Sequence, residues 1–147
     1  MRAQIRHDAM AFAEDLPDDG ATVERNRAAL DSPAGRLSLT VHQRMKPLEQ
    51  VWRQLEADPW NSLHHGYDWC RAWVETHGHP LAIVEGRLND EIAFLLPLEI
   101  ERHYLVRNAR FIGSAFTNFN SGLFSARFRS VASMLPGHAL ETLLVDA

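Results

Sequence analysis

LAIVEGRLNDEIAFLLPLEI, residues 81–100, decides the fold. Its two apolar runs, LAIVEG (81–86) and EIAFLLPLEI (91–100), are rich in β-branched, leucine and aromatic residues, and Leu88, Asn89 and Asp90 between them supply turn chemistry. The stretch predicts two strands of a meander. Pro97 marks an edge position or a bulge, because proline cannot donate to the ladder. A further strand is expected within 103–112. After it, SAFTNFNSGLFS (114–125) interleaves polar residues and glycine with Phe116, Phe119 and Phe124, which reads as a loop around a short strand.

Upstream of the meander, Leu37, Leu39 and Val41 alternate with Ser38, Thr40 and His42, the period of a half-buried strand over 36–42. The period then becomes helical. Leu48, Val51, Trp52 and Leu55 predict a helix over about 46–57, with Pro47 in the first turn, where its missing N–H is not needed, and a stop before Pro59. Trp69 and Trp73, joined by Cys70 and Val74, predict a second helix over 66–77 that ends at Gly78. At the far end a helix near 126–134 precedes Pro136 and Gly137, and Leu140, Leu143 and Leu144 share one face of a last helix. That helix has no capping glycine and no basic last turn, so its apolar face is expected either to dock on the sheet or to mark a truncation. An uncovered face would make the chain sticky or oligomeric. Residues 1–35 hold acidic residues, scattered alanines and the breakers Pro17, Gly20, Pro33 and Gly35 without an apolar stripe, and are expected to be a mobile N-terminal tail.

Composition narrows the function classes. With 147 residues, 46% hydrophobic and 23% charged, the chain can bury one core and is neither fibrous nor wholly disordered. No apolar run approaches the ~20 residues of a membrane-spanning helix, and the first twenty residues lack the apolar centre of a signal peptide, so a cytoplasmic protein is expected. The net charge of −4 leaves no footprint for nucleic acid. Yet no Asp or Glu lies between Glu101 and Glu141, where Arg102, Arg107, Arg110, Arg127 and Arg129 occur, so a local basic face is expected. Lys46 is the one lysine, which leaves lysine chemistry little to work with.

Eight histidines raise the question of a metal. His64 and His65 are neighbours and point apart in an extended chain, His77 and His79 flank a turn glycine, and no H-E-x-x-H or cysteine pair accompanies them, so no metal site is expected. The lone Cys70 excludes an internal disulfide and reads as a small buried hydrophobe. Tyr67, Asp68, His64 and His65 are the clustered acid/base groups. Trp52, Trp69 and Trp73 fall at core-facing positions, whereas Trp60 could line a groove. Asn118 and Asn120 flank Phe119 and share one side of an extended segment, where they could bond a substrate or satisfy turn backbone.

The order of these features resembles the N-terminal half of the CelD/BcsL-type acetyltransferases, GNAT-related proteins associated with cellulose and exopolysaccharide biosynthesis. PLEQVWRQLE (47–56), SLHHGYDWCRAWVE (62–75), LAIVEG, FLLPLEI (94–100) and ARFIGSAFTNFNSGLFS (109–125) carry the resemblance, which covers about 36–147. It implies a mixed α/β (α+β) fold, a GNAT-like half with a mostly antiparallel sheet flanked by helices. It also implies a tandem of two such halves, similar in layout to the Fem aminoacyltransferases. The reaction implied is acyl transfer from acetyl-CoA or another acyl-CoA to an amine or hydroxyl of a small molecule or saccharide. Cofactor binding would centre on the second half, supplied by a missing C-terminal part or a second chain, which leaves the fragment's own activity open. Arg110, Gly113 and Ala115 spell R-x-x-G-x-A, the form of the GNAT pyrophosphate loop. Such a loop works at a helix N-terminus, so the pattern is coincidence unless a helix begins near Phe116. The rival expectation is a non-catalytic binding or assembly module that docks a partner through the Arg102–Arg129 face.

Overall fold

The computed structural model describes residues 25–117 and 120–135. It is a mixed α/β fold built on a five-stranded antiparallel sheet of order β1-β2-β3-β4-β7, with β1 at Arg25–Ser32, β2 at Gly35–His42, β3 at Ile83–Leu88, β4 at Glu91–Leu96 and β7 at Leu123–Phe124. A separate two-stranded ribbon pairs β5 (Leu98–His103) with β6 (Val106–Phe111). Helices α1 (Glu49–Glu56) and α2 (Tyr67–His77) lie between β2 and β3, and α3 (Ala126–Val131) follows β7.

Each sheet face buries its own core, as the alternation along the strands requires. Leu37 and Leu39 of β2, Val84 and Leu88 of β3 and Phe94 of β4 pack with Phe128 of α3. On the opposite face Ile83, Leu95 and Leu123 meet Trp52 and Leu55 of α1 and Tyr67 and Cys70 of α2. Trp52 is fully buried and Trp69 and Trp73 are half-buried against the same cluster, so the three tryptophans pack as their spacing predicts. Gly86 is where the first core tightens, since a Cβ there would lie 2.3 Å from the Phe94 ring.

Local chemistry explains the boundaries. Pro47 sits in the 3₁₀ turn Lys46–Leu48 that leads into α1. Gly78 ends α2 at φ +64°, its N–H bonded to the Val74 carbonyl. Asn89 (φ 51°) and Asp90 (φ 65°) turn β3 into β4, because Asn and Asp tolerate the left-handed region.

Three expectations are corrected. Residues 25–32 of the expected tail form β1, which pairs along β2, with Pro33 and Ala34 as the connection and Gly35 at φ +123°. The Ser32 hydroxyl fastens this turn by donating to the Gly35 carbonyl at 2.8 Å. Residues 91–100 are two strands, because at buried Pro97 the chain leaves the five-stranded sheet and enters the ribbon. The first strand of the meander runs over 83–88 instead of 81–86, and Leu81 makes an isolated bridge to Glu99. Residues 1–24 of the tail and the helix around Leu140 lie outside the described residues. Among the described residues no helix is long and apolar enough to cross a membrane.

Candidate functional site

The clustered acid/base residues of 64–68 do not converge. His64 is exposed, with its ring edge-on to Trp69 at 5.9 Å. His65 is buried against Phe111, and its carbonyl accepts the Trp52 indole N–H at 2.7 Å. Neither His65 ring nitrogen has a hydrogen-bond partner among the described residues, and burial, followed by the neighbouring His64, pushes its pKa down. Tyr67 is buried edge-on to Trp52, with the Arg53 guanidinium 5.0 Å above its ring, and burial pushes its phenol up. Asp68 is exposed and held by Arg53 at 3.0 and 3.2 Å, which lowers its carboxyl. The Tyr67 N–H is capped by Glu56 at 2.6 Å. The Arg53–Asp68 and Glu56–Tyr67 bonds fasten α1 to α2, and the four candidates His64, His65, Tyr67 and Asp68 are not brought together around one point.

Arg110 and Gly113 also serve the fold, and Ala115 is exposed. The Arg110 guanidinium donates to Glu99 at 2.9 Å and Glu101 at 2.8 Å, while the other oxygen of fully buried Glu99 accepts the Trp73 indole N–H at 3.1 Å. Gly113, at φ +70°, is a glycine because a Cβ there would lie 2.1 Å from the Trp69 ring. The Phe116 N–H returns to the Gly113 carbonyl in a turn, and among the described residues no helix begins before Ala126, so the described part of this segment is not the helix N-terminus that a pyrophosphate loop uses. Asn118 lies outside the described residues. Asn120 is exposed and accepts the Thr117 hydroxyl at 3.2 Å. Trp60 is 83% exposed and lines neither concavity described below.

The five arginines do not make one basic face. Arg110 is paired as above, Arg127 binds Glu91, and Arg129 binds Asp58 and the Phe124 carbonyl. Arg102 and Arg107 stand apart from these, opposite each other on the ribbon. The stretch looked basic because its partners lie elsewhere in sequence, 71 residues away for Asp58 and Arg129.

A different group of polar side chains does converge. Ser38, Thr40 and His42 of β2 point away from Leu37 and Leu39, and Glu85 and Arg87 of β3 project from the same face. Together they line a concavity of about 700 Å³ on the β1-β2-β3 part of the sheet. Thr40 pairs with Glu85 and Ser38 with Arg87 in the register. His42 Nε2 lies 2.7 Å from one Glu85 oxygen, and Arg87 Nε donates to the other at 2.5 Å. The Glu85 side chain is 8% exposed and that of His42 11%. Burial opposes the Glu85 charge, but the His42 bond and the Arg87 charge outweigh it and hold the carboxyl below its ordinary range. An ionised carboxylate only accepts, so His42 donates its Nε2–H, and in the neutral ring the lone pair is then on Nδ1. This is the carboxylate–imidazole arrangement that orients a general base. A second concavity, of about 530 Å³, lies between α1 and the start of α3, and Arg87 lines both.

Sequence reasoning missed this pair. The signal was present in Glu85, a charge inside an apolar strand, and in His42 on the polar side of an alternating one. Their 43-residue separation hid the contact. Among the described residues no three His, Cys, Asp or Glu side chains gather as metal ligands.

No family model, no curated protein and no solved structure matches this chain.

Proposed function

We propose that the chain is the acceptor-activating part of a cytoplasmic GNAT-like acyltransferase, the N-terminal half of a tandem. The observation that carries this reading is the His42–Glu85 pair in its polar concavity. There His42 Nδ1 takes the proton of an acceptor amine or hydroxyl as that atom becomes a nucleophile, and Glu85 holds the ring in the required tautomer. The hydroxyls of Ser38 and Thr40 and the amide of Asn89 suit a small polar acceptor or a saccharide. The acyl donor rests on the family resemblance of the sequence. The Arg110–Gly113–Ala115 segment does not fit an acyl-CoA pyrophosphate, so the donor belongs to another half or a second chain.

The test is acceptor-dependent thiol release from acetyl-CoA, run on the protein purified from its own cells with whatever it is joined to. The expected result is release with an amine or saccharide acceptor and its loss in His42→Gln. Equal release by His42→Gln, or none with any acceptor, would overturn the reading.

A further inference from the structure

The β5–β6 ribbon ends in a turn that is unfavourable by its own local chemistry. His103 pairs with Val106, so Tyr104 and Leu105 are the two turn residues, and Tyr104 has φ 52°. A left-handed first position in a two-residue hairpin favours glycine, asparagine or aspartate. The other tight hairpin supplies an internal comparison, since β3 and β4 are joined by Asn89 and Asp90. At the ribbon tip a tyrosine and a leucine stand there instead, 97% and 100% exposed, with Val106 beside them 58% exposed. Among the described residues no packing compensates for that choice.

One pair behind the turn, Arg102 lies directly opposite Arg107, and both are exposed. Like charges facing across an antiparallel pair repel. Toward the base of the ribbon the charge is neutralised instead, with Arg110 on Glu99 and Glu101. The tip is therefore apolar at its end, cationic just behind and balanced at its root.

We infer that the ribbon tip is a docking arm for an anionic phospholipid surface, with Tyr104, Leu105 and Val106 entering the interface and Arg102 and Arg107 meeting the lipid phosphates. The dimensions agree. The arginine pair lies two residue steps from the turn residues, about 7 Å at the rise of an extended strand, and interfacial segments bury their apolar face about 5–10 Å into the headgroup boundary. Tyrosine suits that boundary, having an apolar ring and a polar end. Arginine attracts anionic headgroups and binds their phosphates with its planar fork. An aqueous acidic ligand would engage the arginines but leave the apolar tip in water.

Vesicle flotation tests the arm, using phosphatidylcholine alone and phosphatidylcholine mixed with phosphatidylglycerol. The parent chain is expected to float with the anionic vesicles, roughly ten- to thirtyfold more strongly than with the neutral ones for two engaged arginines. High salt weakens that preference. The double variant Tyr104→Gly/Leu105→Asn puts glycine at the left-handed turn position, so it should keep the fold, melt at a temperature no lower than the parent and lose flotation. Arg102→Gln/Arg107→Gln should lose the preference for anionic lipid. Flotation of the double turn variant equal to the parent, equal binding of the parent to both vesicles, or no binding to either would overturn the inference. So would failure to float combined with self-association that the double turn variant abolishes, which would assign the tip to a second copy of the chain.

Discussion

Replacing Glu85 with glutamine preserves shape and removes a charge that organises the concavity. The carboxylate accepts from His42 at 2.7 Å and from Arg87 at 2.5 Å. A hydrogen bond to a charged group contributes about 1.5–3 kcal/mol and a neutral one about 0.5–1.5 kcal/mol. The amide keeps an acceptor for one donor and turns its NH₂ toward the other. Arg87 is 41% exposed, so its loss is screened, whereas the His42 side lies in a nearly dry pocket. The expected net cost is about 2 kcal/mol near neutral pH, or on the order of 10 °C in Tm for a domain of this size. The cost depends on pH in a defined direction. Because the folded carboxyl is held below its ordinary range, its contribution is fully present above the unfolded value of about 4.3 and disappears as pH falls through the folded value. Urea unfolding of parent and variant near neutrality and near pH ~3 measures both parts. A difference that is the same size at the two pH values would refute the reasoning, as would a variant indistinguishable from the parent near neutrality.

Three other outcomes are expected. His65→Phe should be more stable than the parent by about 1–3 kcal/mol, because it removes a buried imidazole without partners among the described residues; it should also flatten the parent's loss of stability below about pH 6.5, where the unfolded imidazole takes a proton and the buried one does not. Cys70 is buried and its thiol is pushed up to about 12, chiefly by burial, so a thiol reagent should label it only on unfolding; labelling of the folded chain at the rate of a free cysteine would contradict that burial. Gly86→Ala should cost about 1–3 kcal/mol by denaturant titration, since its methyl group meets the Phe94 ring at 2.3 Å, and a neutral result would mean that β3 and Phe94 separate without cost.

The parts of the fold legible in sequence are those written in local periodicity. Leu37, Leu39 and Val41 announce β2, Trp52 and Leu55 announce α1, and Gly78 and the Asn89–Asp90 turn mark boundaries that the structure reproduces. β1 was hidden because Arg25–Ser32 has no apolar stripe of its own and becomes a strand by pairing with β2. Pro97 gives no hint of which sheet the following residues join. The polar contacts were hidden for one reason throughout: an ion pair is a relation between distant positions. Arg129 with Asp58, Arg110 with Glu99 and Trp73, and His42 with Glu85 are set by strand register and helix docking, which a single sequence does not print. Tyr67 and Asp68 show the converse, since proximity in sequence suggested shared chemistry while the α-helix aimed one inward and the other into solvent.

The proposed function requires that Glu85 orient His42 so that the neutral ring carries its lone pair on Nδ1. Long-range ¹H–¹⁵N spectroscopy of the His42 ring at mildly alkaline pH measures this directly. The expected result is the tautomer protonated at Nε2 in the parent chain and a mixture of tautomers in Glu85→Gln. A ring protonated at Nδ1, or a spectrum unchanged by Glu85→Gln, would contradict it.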